Sequence, residues 1–225
     1  MIKVLDHGEV ELIDSMGNDE SVVRAARVSH AANKKTGQNP AADAKLIRFL
    51  YKHRHTSPFE HVQFTFRVKA PLFVLRQWHR HRTWGYNEVS ARYTELPSDC
   101  YVPDPRHVGV QSKDNHQARD IVWDMDTVRA GRIANQIRLH SQRCFREYRD
   151  LLEQGVPREL ARTVLPLSTY SEMFATVDLH NLLKFIADRG ASDAQYEIRV
   201  YAHALRLLAT DVVPVTMEAV EGEES

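Results

Sequence analysis

Residues Val62 to Lys69 read Val-Gln-Phe-Thr-Phe-Arg-Val-Lys, and Pro71 follows. Val62, Phe64, Phe66 and Val68 alternate with Gln63, Thr65, Arg67 and Lys69. Successive strand side chains point to opposite faces, so this period of two predicts a strand with one buried and one wet face. Pro71 suits the start of a helix, with Leu72, Phe73, Leu75 and Trp78 on its apolar side. On that helix Gln77, Arg80 and His81 fall on one face, and Gly85 ends it.

Working outward, Ser168 to Val177 mixes small, aromatic and β-branched residues and predicts a second long strand. Ile2 to Asp14 alternates weakly and predicts one or two short strands. Gly17-Asn18-Asp19 is a turn and cap before a helix carrying Val22, Val23 and Val28. Ala31 to Pro40 is a loop, and a second helix begins near Ala42. Ser57 before Pro58 has the form of a cap on a short helical turn. Three prolines, Pro97, Pro103 and Pro105, mark an irregular connection. A long helix follows from about Asn115 to Gln154, with a break at Gly131 and a stop at Gly155 and Pro157. Pro157 to Thr163 is a short helix. Two more helices, about Leu179 to Asp188 and Asp193 to Val212, precede an acidic, frayed tail from Glu218. With no repeat and no linker, the expectation is one α+β domain over residues 1–225. Its small mixed or antiparallel sheet is packed by several helices, one of them long.

The chain has 225 residues, enough to bury a sizeable core. Its 30 basic and 30 acidic residues balance, so bulk electrostatics gives no reason to expect nucleic acid. No apolar run reaches the length of a membrane span and no signal-peptide pattern opens the chain. Cys100 and Cys144 are the only cysteines, which suits a reducing cytoplasm.

Against that neutral background, Arg76 to Arg92 carries four arginines, two histidines and one carboxylate. A basic knot in a neutral protein indicates a specific anionic ligand rather than a general polyanion. Guanidinium forks fit phosphate oxygens two bonds at a time, so Arg80 and Arg82 are candidate phosphate holders. Tyr86, Asn87, Glu88, Ser90 and Arg92 add donors and acceptors suited to a sugar and a base. Trp78, Trp84 and Tyr86, interleaved with the charges, indicate a partly packed segment rather than a solvated run.

Arg158 and Arg162 lie four apart on one helix face, and Arg189 emerges at a turn before Gly190-Ala191-Ser192. A solvated face and dipole compensation are the structural alternatives for these three. The pairs His53/His55 and His79/His81 invite a metal reading, but residues two apart on a helix do not share a face, and no metal is expected. Ser90 has no paired base that would make it a nucleophile. Neither a Gly-x-Gly-x-x-Gly nor a Gly-Lys-Ser/Thr loop is present, so any nucleotide is held by other means.

Arg80-His81-Arg82, followed after seven residues by Ser90, resembles the signature of the flavin-dependent thymidylate synthases. The fuller family pattern is met at Asn87, Glu88, Ser90 and Arg92, with Gly85 where the family often has Ser. The resemblance runs through His55-Thr56-Ser57-Pro58-Phe59-Glu60-His61, Arg67-Val68-Lys69-Ala70-Pro71 and Arg76-Gln77-Trp78. It continues in Gly155-Val156-Pro157-Arg158-Glu159, Ala161-Arg162, Leu165-Pro166-Leu167 and Arg189 through Ala194-Gln195.

It implies a cytoplasmic homotetramer that converts dUMP to dTMP, binding neither nucleic acid nor membrane. Methylenetetrahydrofolate would give the one-carbon unit, and FAD reduced by NADPH the hydride. Carried over position by position, Ser57, Arg80, His81, Arg82 and Glu88 would touch the flavin. Asp178, Leu179, His180 and Lys184 align with flavin contacts that are Asn or Arg in some relatives. Gln77, Trp78, His79, Arg80, Glu88, Val89, Ser90, Ala91, Arg92, Arg162 and Arg189 would line the dUMP site, and Arg189 would polarise the uracil ring. Asp193 stands where some members have His. Such a route needs no enzyme thiolate, and neither cysteine lies in a reactive setting. The runner-up readings are a nucleotide- or RNA-binding module without catalysis, and a flavoprotein with another substrate.

Overall fold

The computed structural model describes residues 1–29, 36–116, 118–120 and 127–224. Its centre is a five-stranded antiparallel sheet in the order β1-β2-β3-β7-β4. The strands are β1 (Ile2–Val4), β2 (Gly8–Met16), β3 (Gln63–Pro71), β4 (Gly85–Glu88) and β7 (Tyr170–Asp178). β3 and β7 pair along their whole length, from Gln63 opposite Asp178 to Pro71 opposite Tyr170. The expected alternation holds: Phe64, Phe66 and Val68 are fully buried, as are Ala175 and, nearly so, Met173 and Val177. Burying each large apolar side chain stabilises by about 2 kcal/mol. A register shift between Leu12 and Asp14 turns Ile13 out to solvent.

Helices cover the apolar face. They are α1 (Asp19–Val28), α2 (Pro40–Lys52), α3 (Leu72–Trp78), α6 (Leu179–Gly190), α7 (Tyr196–Thr210) and α8 (Pro214–Glu224). All six contribute to one core with the sheet. Asn18 caps α1 as read, accepting from the amides of Glu20 and Ser21, while the Ser21 hydroxyl accepts from the Asn18 amide. The short pair β5 (Val110–Gln111) and β6 (Arg119–Asp120) forms a separate two-stranded sheet. Beyond it, α4 (Thr127–Glu153) and α5 (Arg158–Ala161) pack on a smaller core of Cys100, Phe145, Tyr148 and Ala161.

Five expectations need correction. α3 ends at Trp78 rather than near Gly85. There the Tyr86 hydroxyl donates to the carbonyls of Trp78 (3.2 Å) and His81 (2.8 Å), and Gly85–Glu88 is drawn into the sheet by β7. The long helix starts at Thr127; Arg119 and Asp120 are a strand instead, and Ile121 and Val122 lie outside the described residues. Gly131 does not break it. Thr56, not Ser57, caps the short 3-10 turn Ser57–His61, and no side chain completes that cap. The acidic tail is α8, seated through buried Thr216, Met217 and Val220 and tied to the Asp19 carboxylate by the Val215 and Thr216 amides. Of the loop read over Ala31 to Pro40, residues 31–35 lie outside the described residues.

Candidate active site

The basic knot folds into a turn between α3 and β4. Arg80 N–H donates to the Gln77 carbonyl and His81 N–H to that of Trp78, one tight turn beyond the helix. This turn throws the Arg80 and Arg82 side chains outward. Both are exposed, and among the described residues neither makes a hydrogen bond or ion pair. Trp78 itself is buried against Trp84 and Phe185 and anchors the segment. The His79 ring meets the Tyr86 ring edge-on.

His81 turns inward to the end of α6. The Arg189 Nε–H donates to His81 Nε2 at 2.9 Å, and Phe185 lies edge-on to the imidazole. Burial pushes the His81 pKa below its ordinary value, and the Arg189 and Lys184 charges push the same way; Asp188 opposes them. A neutral ring is also what the geometry requires, since Nε2 must accept. Arg189 lies within the last turn of α6 rather than past it. At the end of α3, Gln77 Nε2 donates to Gln195 Oε1.

A second group of candidates gathers beyond the opposite end of β4. Glu88, Val89, Ala91 and Arg162 line a cavity of about 140 Å³ with Leu72, Leu96, Leu165 and Ser171. The Ser90 hydroxyl accepts the Arg92 amide. Arg92 meets Glu159 at 3.5 Å, and Arg162 Nε donates to the Glu159 carbonyl. Ser171 lines this cavity, whereas Thr176, roughly 16 Å away along the same strand, pairs with Gly85 at the other end of β4. Among the described residues, Arg189 meets His81, Gln77 meets Gln195, and Glu88, Val89, Ala91 and Arg162 share a cavity, and no hydrogen bond or ion pair joins Arg189 to Arg162.

A groove of about 440 Å³ between the end of α2 and α6 holds His180 and Lys184 with Lys52, Arg54, Thr56 and Asp188. Leu50, Phe59, Leu183 and Ala187 give it an apolar floor. Three full cations against one carboxylate, over an apolar floor, fit a pyrophosphate joined to a flat ring, as in FAD. Ser57 is exposed beside Thr56. Asp178 and Leu179 also serve the fold. The Asp178 carboxylate caps α6 through the Asn181 amide and side chain, and Leu179 is fully buried with its N–H on the Val62 carbonyl.

Sequence reading missed Lys52, Arg54 and Thr56 as groove residues. The run Lys52-His53-Arg54-His55 at a helix end was the available signal. Arg54 has a φ of 55°, the left-handed turn that closes α2, with the His55 amide on the Leu50 carbonyl. The cysteines stand apart: Cys100 is buried against Thr169, where burial pushes its thiol pKa up, and Cys144 contacts His140.

The family model for thymidylate synthase complementing protein matches residues 11–215. The flavin-dependent thymidylate synthase of Anaplasma marginale is 45% identical over 219 residues, covering 97% of this chain and 73% of that protein. That of Thermus thermophilus is 46% identical over 221 residues, covering 98% and 78%. The structure of PolB, a UMP/dUMP methylase of Streptomyces cacaoi bound with 5-Br dUMP, superposes with a TM-score of 0.85 at 38% identity, covering 98% of this chain and 97% of that one. Its 5-Br UMP complex gives 0.84 at 37% identity over 97% and 95%. The chain belongs to the thymidylate synthase complementing protein family, that of the flavin-dependent thymidylate synthases.

Proposed function

We propose that the protein reductively methylates dUMP to dTMP, with methylenetetrahydrofolate as one-carbon donor and NADPH as reductant. When bound, FAD would supply the hydride; Lys52, Arg54, Thr56, His180 and Lys184 of the groove, with Ser57, Arg80 and Arg82, are the residues suited to hold it. The observation that carries the reading is the Arg189–His81 contact. A neutral imidazole takes the Nε–H of Arg189 and fixes the plane of its guanidinium. Both Nη groups make no other bond among the described residues and remain available to a ligand.

Reduction of a uracil carbon builds negative charge on the ring. A guanidinium already oriented toward the imide stabilises that charge without reorganising, and each tenfold in rate needs about 1.4 kcal/mol. Gln77 would position the nucleotide. Arg92 and Arg162 are suited to its phosphate, and Glu88 and Ser90 to its sugar and base. Among the described residues no contact joins Arg189 to the Arg162 cavity within the protomer. A homotetramer, as the family resemblance implies, would let one protomer's Arg189 set face another's Arg162 set, each chain of 225 residues acting as one domain. Among the described residues no helix is long and apolar enough to cross a membrane.

The test is NADPH oxidation by the purified yellow protein, with and without dUMP and the folate donor. Formation of dTMP that requires all three supports the reading. A colourless protein, or oxidation that never yields dTMP, overturns it.

A further inference from the structure

Glu197 is 1% exposed, yet it is a carboxylate inside the first turn of α7. Its Oε1 accepts from the Tyr101 hydroxyl and from Arg119 Nη2, each at 2.8 Å. Its Oε2 accepts from Gln195 Nε2, also at 2.8 Å. Burial works against ionising this carboxyl, but Arg119, Gln195 and Tyr101 together hold its pKa below the ordinary range.

The chemistry of this chain of contacts runs in one direction. An ionised carboxylate only accepts, so Gln195 must turn its amide N–H₂ toward Glu197. Its oxygen then faces the other way, where it receives Gln77 Nε2. An amide oxygen only accepts, so Gln77 in turn must present nitrogen to Gln195. The Gln77 oxygen is left as its outward acceptor. Without Glu197, either amide could rotate by half a turn at little cost, and Gln77 would offer nitrogen as often as oxygen.

We propose that Glu197, acting through Gln195, is a positioning residue that fixes the Gln77 amide with its oxygen toward the pyrimidine nucleotide. The matching group on the nucleotide is therefore a hydrogen-bond donor. Arg119 and Tyr101 hold the carboxylate in place, which ties the β5–β6 ribbon to substrate binding. This inference rests on the assignment of Gln77 to the dUMP site.

The test uses holoenzyme and dUMP, with affinity read from the perturbation of the bound-flavin spectrum. Glu197→Gln and Gln195→Met are compared with wild type and again in a Gln77→Ala background. In the wild-type background each weakens dUMP binding about three- to tenfold, with bound flavin per chain unchanged. In the Gln77→Ala background neither adds a further loss, because the amide it orients is gone. A merely structural role would weaken both backgrounds equally, and that result overturns the inference. So does wild-type affinity in both single variants. Gln195 is exposed, so Gln195→Met carries the test alone if Glu197→Gln does not fold. A wild-type protein that holds flavin but does not respond to dUMP overturns the functional reading itself, and this inference with it.

Discussion

Arg67 and Arg82 carry the same side chain in opposite settings. On the wet face of β3, Arg67 donates Nε to Glu11 (2.9 Å), Nη1 to Glu172 (2.8 Å) and Nη2 to Glu9 (3.3 Å). The bond to Glu11, followed by that to Glu172, raises its pKa against the opposing effect of burial. Every arm of the guanidinium is used, and it joins three strands. Arg82, in the turn after α3, is exposed and makes no bond among the described residues. The neighbouring turn is nonetheless anchored by buried Trp78 and Trp84. A rigid platform that presents unpaired cations is suited to a ligand, whereas a saturated guanidinium belongs to the fold. Arg189 is intermediate: one nitrogen is bound by a neutral partner, and the other two make no bond among the described residues.

Substitutions can break this division. The largest effect is expected for Arg189→Ala, which removes the cation proposed to face the uracil ring. Turnover of dUMP should fall roughly 10²- to 10³-fold with bound flavin and melting temperature near wild type. A wild-type rate would remove Arg189 from the chemistry. Arg67→Ala should act on stability instead, leaving Glu9, Glu11 and Glu172 crowded without their cation. Two of these carboxylates are more than a third exposed, so screening limits the loss to about 1–3 kcal/mol, a fall in melting temperature of several degrees. Arg82→Ala should do the reverse, weakening flavin retention about three- to tenfold while the flavin-free protein melts as before. Equal melting losses in the two variants would erase the distinction.

β3 was legible because a period of two survives any tertiary context that buries one face, whereas the short strands β4, β5 and β6 were not read as strands. The alternation at Phe64, Phe66 and Val68 is a strong signal of that kind. α8 was not legible, because its acidic residues mask a buried stripe and find partners distant in sequence: Glu218 pairs with Arg48 and Glu221 with Arg206. The helix end at Trp78 was hidden for a related reason. It is set by a Tyr86 hydroxyl and by pairing with β7, and neither leaves a local trace. Of the site, Arg80, Arg82 and Arg189 were readable as cations and, through the family pattern, as ligand holders. The Arg189–His81 contact and the buried Glu197 join residues remote in sequence, which no spacing rule links.

A smaller effect concerns pH. The folded state lowers the His81 pKa, so its contribution is fully present above the ordinary value of 6.5 and is lost as pH falls below that through the folded value. Both stability and turnover should decline on the acid side. His81→Asn, which offers an acceptor that does not titrate, should flatten that part of the melting profile. The smallest effect is expected for Cys100→Ala and Cys144→Ala. Both thiols are buried, and burial raises that of Cys100, so turnover should stay within a few-fold of wild type. Abolished turnover in either folded variant would indicate thiol catalysis.

The most direct measurement co-expresses Arg162→Ala and Arg189→Ala chains and assays dTMP formation by the mixed oligomers. Each variant alone should be nearly inactive. If one protomer's Arg189 completes another's Arg162, random assortment restores an intact pair in about a quarter of the sites, and the mixture should regain about that share of wild-type activity. A mixture as inactive as its components would contradict a site shared between protomers.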